Sequence, residues 1–210
     1  MEIKVFEILP STQKYIINEI KNKYLKNEIC ILAKNQTQGI GSRENAWSGV
    51  KKGLYFSFAK KLENLPKDLK LESISIFFGF IFKEILMIEG SKVWLKYPND
   101  LYIDEYKIGG ILCNIIDSFV VCGIGVNIES SEFKCIENNV IIDTNKILES
   151  YFNSIKIYTW DLVFRKYKLE FHKNHHFSFH HKNKIISFKD AKLLDDGAIE
   201  VNGDILYSFR

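Results

Sequence analysis

Between residues 96 and 112 the sequence KYPNDLYIDEYKIGGIL sets polar, charged and very small residues inside an otherwise apolar pattern. Pro98-Asn99-Asp100 comes first, and Lys107, seven residues past Asp100, is followed by Gly109 and Gly110. A sheet built only for stability gains nothing from a charge and two glycines within one strand. The same residues suit an anionic ligand, because lysine offers a compact charge and glycine lets a ligand approach the backbone. Strict alternation puts Lys107, Gly109, Ile111 and Cys113 on one face, with Gly109 opening the space beside the ammonium. Each feature also has a plain reading: an Asx-type turn for Asn99-Asp100, and a surface lysine lying along its stem for Lys107.

The next apolar run repeats the theme, with Gly123, Gly125 and Asn127 in CGIGVN. A two-residue turn at Asp117-Ser118 would set Gly110 opposite Gly125 and Leu112 opposite Gly123, leaving a bare patch of sheet for a flat ligand. That register sends Lys107 and Asn127 to opposite faces, so a shared site requires a β-bulge. Upstream, QTQGIGSRENAW (residues 36–47) has the spaced glycines of a phosphate cradle, with Arg43 to pair with phosphate and Trp47 to stack on a base. It has neither the third glycine of a dinucleotide fingerprint nor the G-K-[ST] ending of a P-loop. Ser11-Thr12 reads as a helix N-cap or as a hydrogen-bonding end for a polar ring. The five histidines all fall in HKNHHFSFHH (172–181), away from cysteine and carboxylate, and read as a solvated junction rather than a metal site. No Ser/His/Asp, Cys/His or paired-carboxylate set is present, which disfavours nucleophilic or hydrolytic catalysis.

These residues need a scaffold, and the chain supplies one. Its 210 residues are 46% apolar and 14% aromatic, enough for one sizeable core and a small appended module. A net charge of +3 without a basic block argues against nucleic acid as the main partner but allows a small polyanion. Cysteines 30, 113, 122 and 135 form no C-x-x-C pair and suit a reducing compartment. No signal peptide or membrane span is expected, so the protein is read as cytoplasmic.

Strands are expected at 1–9, 28–36 and 54–62, with a helix from Ser11, a long glycine-rich loop over 37–53, and a mostly buried helix over 68–90 ending at Gly90. A three-stranded meander follows, with turns at Asp104-Glu105 and Asp117-Ser118, and then one or two helices over 144–174. Short strands with Asp-Gly and Asn-Gly turns fill the remainder. The fold class is α+β: a mixed-sheet catalytic domain with flanking helices over 1–174, and a small β-barrel over 175–210.

Taken in order, Q-x-x-G-x-G-x-R with a tryptophan four residues on, K-Y-P-N-D with K-x-G-G-I-L, and G-I-G-V-N resemble the biotin–protein ligases, or biotin–acetyl-CoA-carboxylase ligases. The resemblance covers about residues 6 to 128 and continues faintly through the β tail. It implies a class II synthetase-like sheet of the biotin/lipoate ligase type with a C-terminal SH3-like barrel. The implied activity is adenylation of biotin with Mg²⁺-ATP, then transfer to a lysine of the biotin carboxyl carrier protein of acetyl-CoA carboxylase. On that resemblance Ser11, Thr12 and Gln36 hold the ureido ring, while Gly39, Gly41 and Arg43 belong to the loop over the ligand. Gly110 and Gly123 belong to the biotin floor. Lys107 meets the biotin carboxylate and then the α-phosphate. Arg43, Trp47, Asn99, Asp100 and Asn127 line the ATP and acceptor side, with Asp100 as the Mg²⁺ ligand and Lys107 and Arg43 as the catalytic pair.

The sequence departs from the family pattern in places. The usual loop has the form G-R-G-R-R-G-R, whereas Ile40, Ser42 and Asn45 stand here where arginines are common. Tyr97 replaces the tryptophan of K-W-P-N-D, and the C-terminal module is short. No helix-turn-helix precedes residue 6, so no DNA partner is expected. Two rival readings are a lipoate or octanoate ligase or transferase of the same fold, and a non-catalytic nucleotide-binding module. Gln36 beside Ser11-Thr12 favours a ligand whose ring can form hydrogen bonds.

Overall fold

A computed structural model describes residues 1–42, 45–181 and 184–207, without the side chains of His180, His181 and Lys184. Strands β1 (Glu2–Leu9) and β2 (Ile29–Gln36) flank helix α1 (Thr12–Lys21), which Ser11 caps by accepting from Lys14 N. Ile16 and Ile20 of α1 are buried, whereas Tyr24 lies beyond the helix and is exposed.

The expected loop over 37–53 contains a small ribbon, β3 (Gly39–Ile40) with β4 (Ala46–Trp47), before β5 (Lys52–Lys61). Two-residue strands carry too little apolar period to be read from sequence. Helix α2 (Ile74–Ile88) is apolar on nearly all sides and largely buried, and Gly90 follows it at φ +96°. Gly79 lets α2 close on the sheet, since a Cβ there would come within 2.9 Å of Ile111 Cδ1.

The meander has four strands rather than three: β6 (Trp94–Lys96), β7 (Asp100–Ile103), β8 (Tyr106–Ile116) and β9 (Phe119–Glu129). Asp104 and Asp117 take positive φ in the two expected turns. Helices α3 (Thr144–Ile157) and α4 (Trp160–Glu170) follow.

The main sheet runs β1-β2-β5-β9-β8-β7-β6, with β1 and β2 parallel and every other pair antiparallel. Phe56, Phe58, Ile111, Cys122 and Ile124 join α2, α3 and α4 in the larger core. On the opposite face Ile31, Ala59 and Val121 pack against Ile16 and Ile20 of α1. α1 covers only part of that second face, and the uncovered part lies beside its N-terminus.

The C-terminal strands form two small antiparallel sheets, as in an SH3-like region. One is β10 (Ser178–His181) with β11 (Lys184–Ser187). The other is β12 (Lys192–Leu193), β13 (Ile199–Val201) and β14 (Asp204–Leu206). Asn202 and Gly203 both take positive φ in the β13–β14 turn, which suits Asn-Gly. Phe179, Phe188, Leu193 and Ile199 belong to the same apolar core as α2.

Candidate functional site

Pairing between β8 and β9 sets Gly110 opposite Gly125 and Leu112 opposite Gly123, the register expected from the two-residue turn. Asp100 on β7 stands opposite Gly110, and Tyr55 and Ser57 on β5 stand opposite Gly125 and Gly123. Two rows therefore cross the uncovered face: Asp100, Gly110, Gly125, Tyr55, and beside it Leu112, Gly123, Ser57. Their centres are glycines, so backbone forms the floor.

The face assignment of Lys107 needs correction. Pairing between β7 and β8 passes from Tyr102↔Lys107 to Leu101↔Gly109, which leaves Ile108 as an extra residue. This bulge turns Lys107 onto the face of Gly110 and Leu112, whereas Gly109 and Ile111 face the core. The glycine beside the lysine is accordingly Gly110, whose Cβ position would lie 3.6 Å from Lys107 Cε. Gly109 serves backbone packing instead, because a Cβ there would fall 2.6 Å from Gly125 O.

Two cavities meet over this floor. The smaller, of about 60 Å³, is lined by Ser11, Thr12, Gln13, Gln36, Ser57 and Gly123 at its polar end. At its other end are Gly41, Trp47, Asn99, Asp100, Lys107 and Gly110. The larger, of about 260 Å³, is lined by Gly41, Ser42, Trp47, Lys107, Asn127 and Phe133 among others. Lys107 and Asn127 thus share a cavity, and the bulge at Ile108 makes that possible. Gly41, Ser42, Trp47 and Lys107 line both.

Each polar group is held in place. Thr12 N and Oγ1 both donate to Gln36 Oε1, at 2.7 and 3.1 Å, and Thr12 Oγ1 lies 2.8 Å from Ser57 Oγ. Asn99 is tied to the floor, its Nδ2 donating to Ile111 O at 2.7 Å while Ile111 N donates to Asn99 O at 2.8 Å. Lys107 Nζ pairs with Asp100 Oδ1 and stands 5.7 Å from the centre of the Trp47 indole. Burial, then the charge of Asp100, push the Tyr102 hydroxyl up to about 12, so it stays protonated beside this pair. Asn127 Nδ2 donates to Lys134 O, and its buried Oδ1 has no hydrogen-bond partner among the described residues.

Trp47 lies on the glycine floor, since a Cβ on Gly125 would approach its indole to 3.3 Å. Gly39 does not line either cavity; it admits the Trp47 backbone, whose carbonyl would otherwise be 2.9 Å from a Cβ. Tyr55 supports the loop from below, its hydroxyl accepting from Val50 N at 3.2 Å. Burial raises the Tyr55 pKa, while the hydrogen bond from Val50 N opposes the rise.

Arg43 lies outside the described residues. Tyr97 is a core residue rather than a ligand contact, buried with its ring edge-on to Phe171, Phe179 and Phe188. Asp100 is the only carboxylate lining either cavity among the described residues, and no group of three or more His, Cys, Asp or Glu there could hold a metal. One carboxylate already paired with lysine does not make a metal cage, so the fit to a protein-held Mg²⁺ is poor.

Gln13 and Ser57 also line the smaller cavity, though neither stands out as a site residue in the sequence. Ser57 leaves a faint trace as a lone hydroxyl between Phe56 and Phe58.

A family model described as the biotin/lipoate A/B protein ligase family matches residues 5–128. The bifunctional ligase/repressor BirA of Escherichia coli strain K12 is 31% identical over 132 residues, covering 60% of this chain and 40% of BirA. Biotin–protein ligase 2 of Arabidopsis thaliana is 30% identical over 118 residues, or 51% of this chain and 35% of that protein. The chain thus spans less than half the length of these curated relatives.

Among solved structures, a biotin acetyl coenzyme A carboxylase synthetase from Helicobacter pylori with bound biotinylated ATP is 45% identical. It superposes with a TM-score of 0.95 over 98% of this chain and 99% of that one. A biotin protein ligase from Aquifex aeolicus, in complex with biotin and ATP, shares the fold at 20% identity and a TM-score of 0.74, over 98% of this chain and 94% of that one. With the family model spanning more than half its length, and the glycine floor lying within that span, the chain belongs to the biotin/lipoate A/B protein ligase family.

Proposed function

We propose that the chain is an ATP-dependent biotin–protein ligase, which forms biotinoyl-5′-AMP and then passes the biotinoyl group to a lysine of the biotin carboxyl carrier protein of acetyl-CoA carboxylase. The observation that carries this reading is Lys107, which lines both cavities at once. A ligand with its ring at the Ser11-Thr12-Gln36 end would extend its carboxylate along the floor toward Lys107. A nucleotide in the larger cavity, near Trp47 and Asn127, would bring its α-phosphate to the same ammonium.

Joining carboxylate oxygen to phosphorus faces two obstacles, like-charge repulsion and alignment. Lys107 lowers the repulsion, and the adjoining cavities supply proximity. Pyrophosphate then leaves. In the second step the carrier amine attacks the acyl carbon and AMP leaves, so no protein nucleophile is required. Mg²⁺ would arrive with ATP as part of the substrate, since the one carboxylate lining the cavities among the described residues, Asp100, is already paired with Lys107. Gln36 and Thr12 speak for a ring with polar atoms over a lipoyl or octanoyl chain. A cytoplasmic setting agrees with four cysteines free of disulfides and with no described helix long and apolar enough to cross a membrane.

The test is ATP–pyrophosphate exchange in the presence of biotin, lipoate or neither. Exchange that depends on biotin supports the proposal. Exchange that depends on lipoate, or nucleotide binding without exchange, would sink it. Labelling of a purified carrier domain then tests the transfer step.

A further inference from the structure

The polar end of the smaller cavity has a hydrogen-bond direction. Thr12 Oγ1 donates to Gln36 Oε1, so its contact with Ser57 Oγ has Ser57 as the donor. The Ser57 hydroxyl proton is therefore committed to Thr12, and Ser57 Oγ presents lone pairs. Gln13 is oriented by three acceptors around Nε2: Leu112 O at 3.3 Å, Asn114 Oδ1 at 3.0 Å and Val121 O at 3.0 Å. That arrangement turns Oε1 toward Gly123. Gln13 is only 3% exposed, and Oε1 has no hydrogen-bond partner among the described residues. A buried carbonyl left unpaired is costly and calls for a donor. Gly123 keeps the approach open, since a Cβ there would lie 2.6 Å from Gln13 Oε1 and 3.0 Å from Ser57 Oγ.

We infer that Gln13 and Ser57 are specificity-determining residues whose oxygens accept hydrogen bonds from the ring N–H groups of the ligand, selecting a cyclic urea over a plain acyl chain. The inference rests on the biotin reading above and adds two residues to it. A cyclic urea carries two N–H donors for two waiting acceptors, and Gln36 Nε2 can donate to its carbonyl. An acyl chain has no donor and would leave Gln13 Oε1 dry and unpaired. Sites built around a polar substrate group reject analogues lacking it far more strongly than apolar pockets discriminate by size.

Calorimetric titration of the full chain tests this directly, using biotin, lipoate and the two cyclic carbamates in which one ring N–H of biotin is replaced by oxygen. The expected result is a loss of about a hundredfold for at least one carbamate in the unaltered protein. In Gln13→Met the biotin-to-carbamate ratio should fall below about threefold for that isomer, and Ser57→Ala should do the same for the other. Equal binding of biotin and both carbamates by the unaltered protein overturns the inference while leaving the biotin reading intact. Failure to bind biotin at all overturns that reading first. If Gln13→Met does not fold, the unaltered protein and Ser57→Ala still separate these outcomes.

Discussion

Lys107 Nζ lies 2.6 Å from Asp100 Oδ1, across neighbouring strands β8 and β7. The carboxylate aims the ammonium over Gly110, at the junction of the two cavities. Both side chains are partly exposed, so the pair adds little to stability, typically under about 1 kcal/mol. Asp100→Asn is expected to keep its melting temperature within a few degrees while biotin-dependent pyrophosphate exchange slows by about tenfold or more. Thermal melting beside the exchange assay checks this. A large drop in melting temperature would show the pair to be structural.

Lys107→Ala should cost about 3 kcal/mol or more in the adenylation transition state, or at least two orders of magnitude in rate. Few apolar contacts are lost, so stability should change by less than about 1 kcal/mol. Lys107→Arg should not restore the rate fully, because the planar guanidinium is larger and crowds the floor. Near-normal exchange by the alanine variant would refute the assignment.

The adjacent glycines make a sharper pair of variants. Gly109→Ala puts a methyl 2.6 Å from Gly125 O, a backbone atom that cannot yield, and should destabilise the fold by about 1–3 kcal/mol. Gly110→Ala meets nothing closer than 3.6 Å, so the fold should tolerate it while the methyl intrudes on the ligand floor. Denaturant unfolding should separate the two variants, and biotin titration should invert their order.

Trp47 offers an optical test. Trp94 and Trp160 are buried and donate through Nε1 to Asp104 O and Asp195 O, away from the cavities. A fluorescence change on adding biotin and ATP should therefore come from Trp47 and vanish in Trp47→Phe. A change that survives the substitution would place the response elsewhere.

Acid should weaken the contact between α2 and α4. Burial pushes the Glu84 carboxyl up, but hydrogen bonds from Lys166 and Lys83 overcome it and leave it below the usual value of 4.5. A depressed carboxyl contributes stability above its unfolded pKa and loses that contribution as pH falls through the folded value. Glu84→Gln should thus melt earlier than the unaltered protein at pH 7, with the gap narrowing below about pH 4.5. A gap independent of pH would contradict the assignment.

Much of the site was legible from alternation and turn chemistry. A two-residue turn at Asp117-Ser118 suffices to bring Gly110 opposite Gly125 and Leu112 opposite Gly123. The bulge at Ile108 was not legible, because an extra residue is decided by what the partner strand offers, and the sequence shows only the glycine that permits it. Alternation therefore assigned Lys107 to Gly109, one position away from the glycine it accompanies. Gln13 escaped notice for a different reason. A glutamine in the first turn of a helix reads as surface, and only the approach of β8 and β9 buries it.

Tyr97 ties the reaction edge to the far end of the chain. Its N–H donates to Asn174 Oδ1 at 2.8 Å, its hydroxyl to Leu206 O at 3.4 Å, and its ring meets Phe179 and Phe188. Two residues later the chain delivers Asn99 and Asp100 to the cavity. The C-terminal strands are thus no detachable cassette: exchanging them for those of a relative would carry the aromatic socket of Tyr97 with them. Grafts between family members should succeed only when the residue at 97 and its socket travel together.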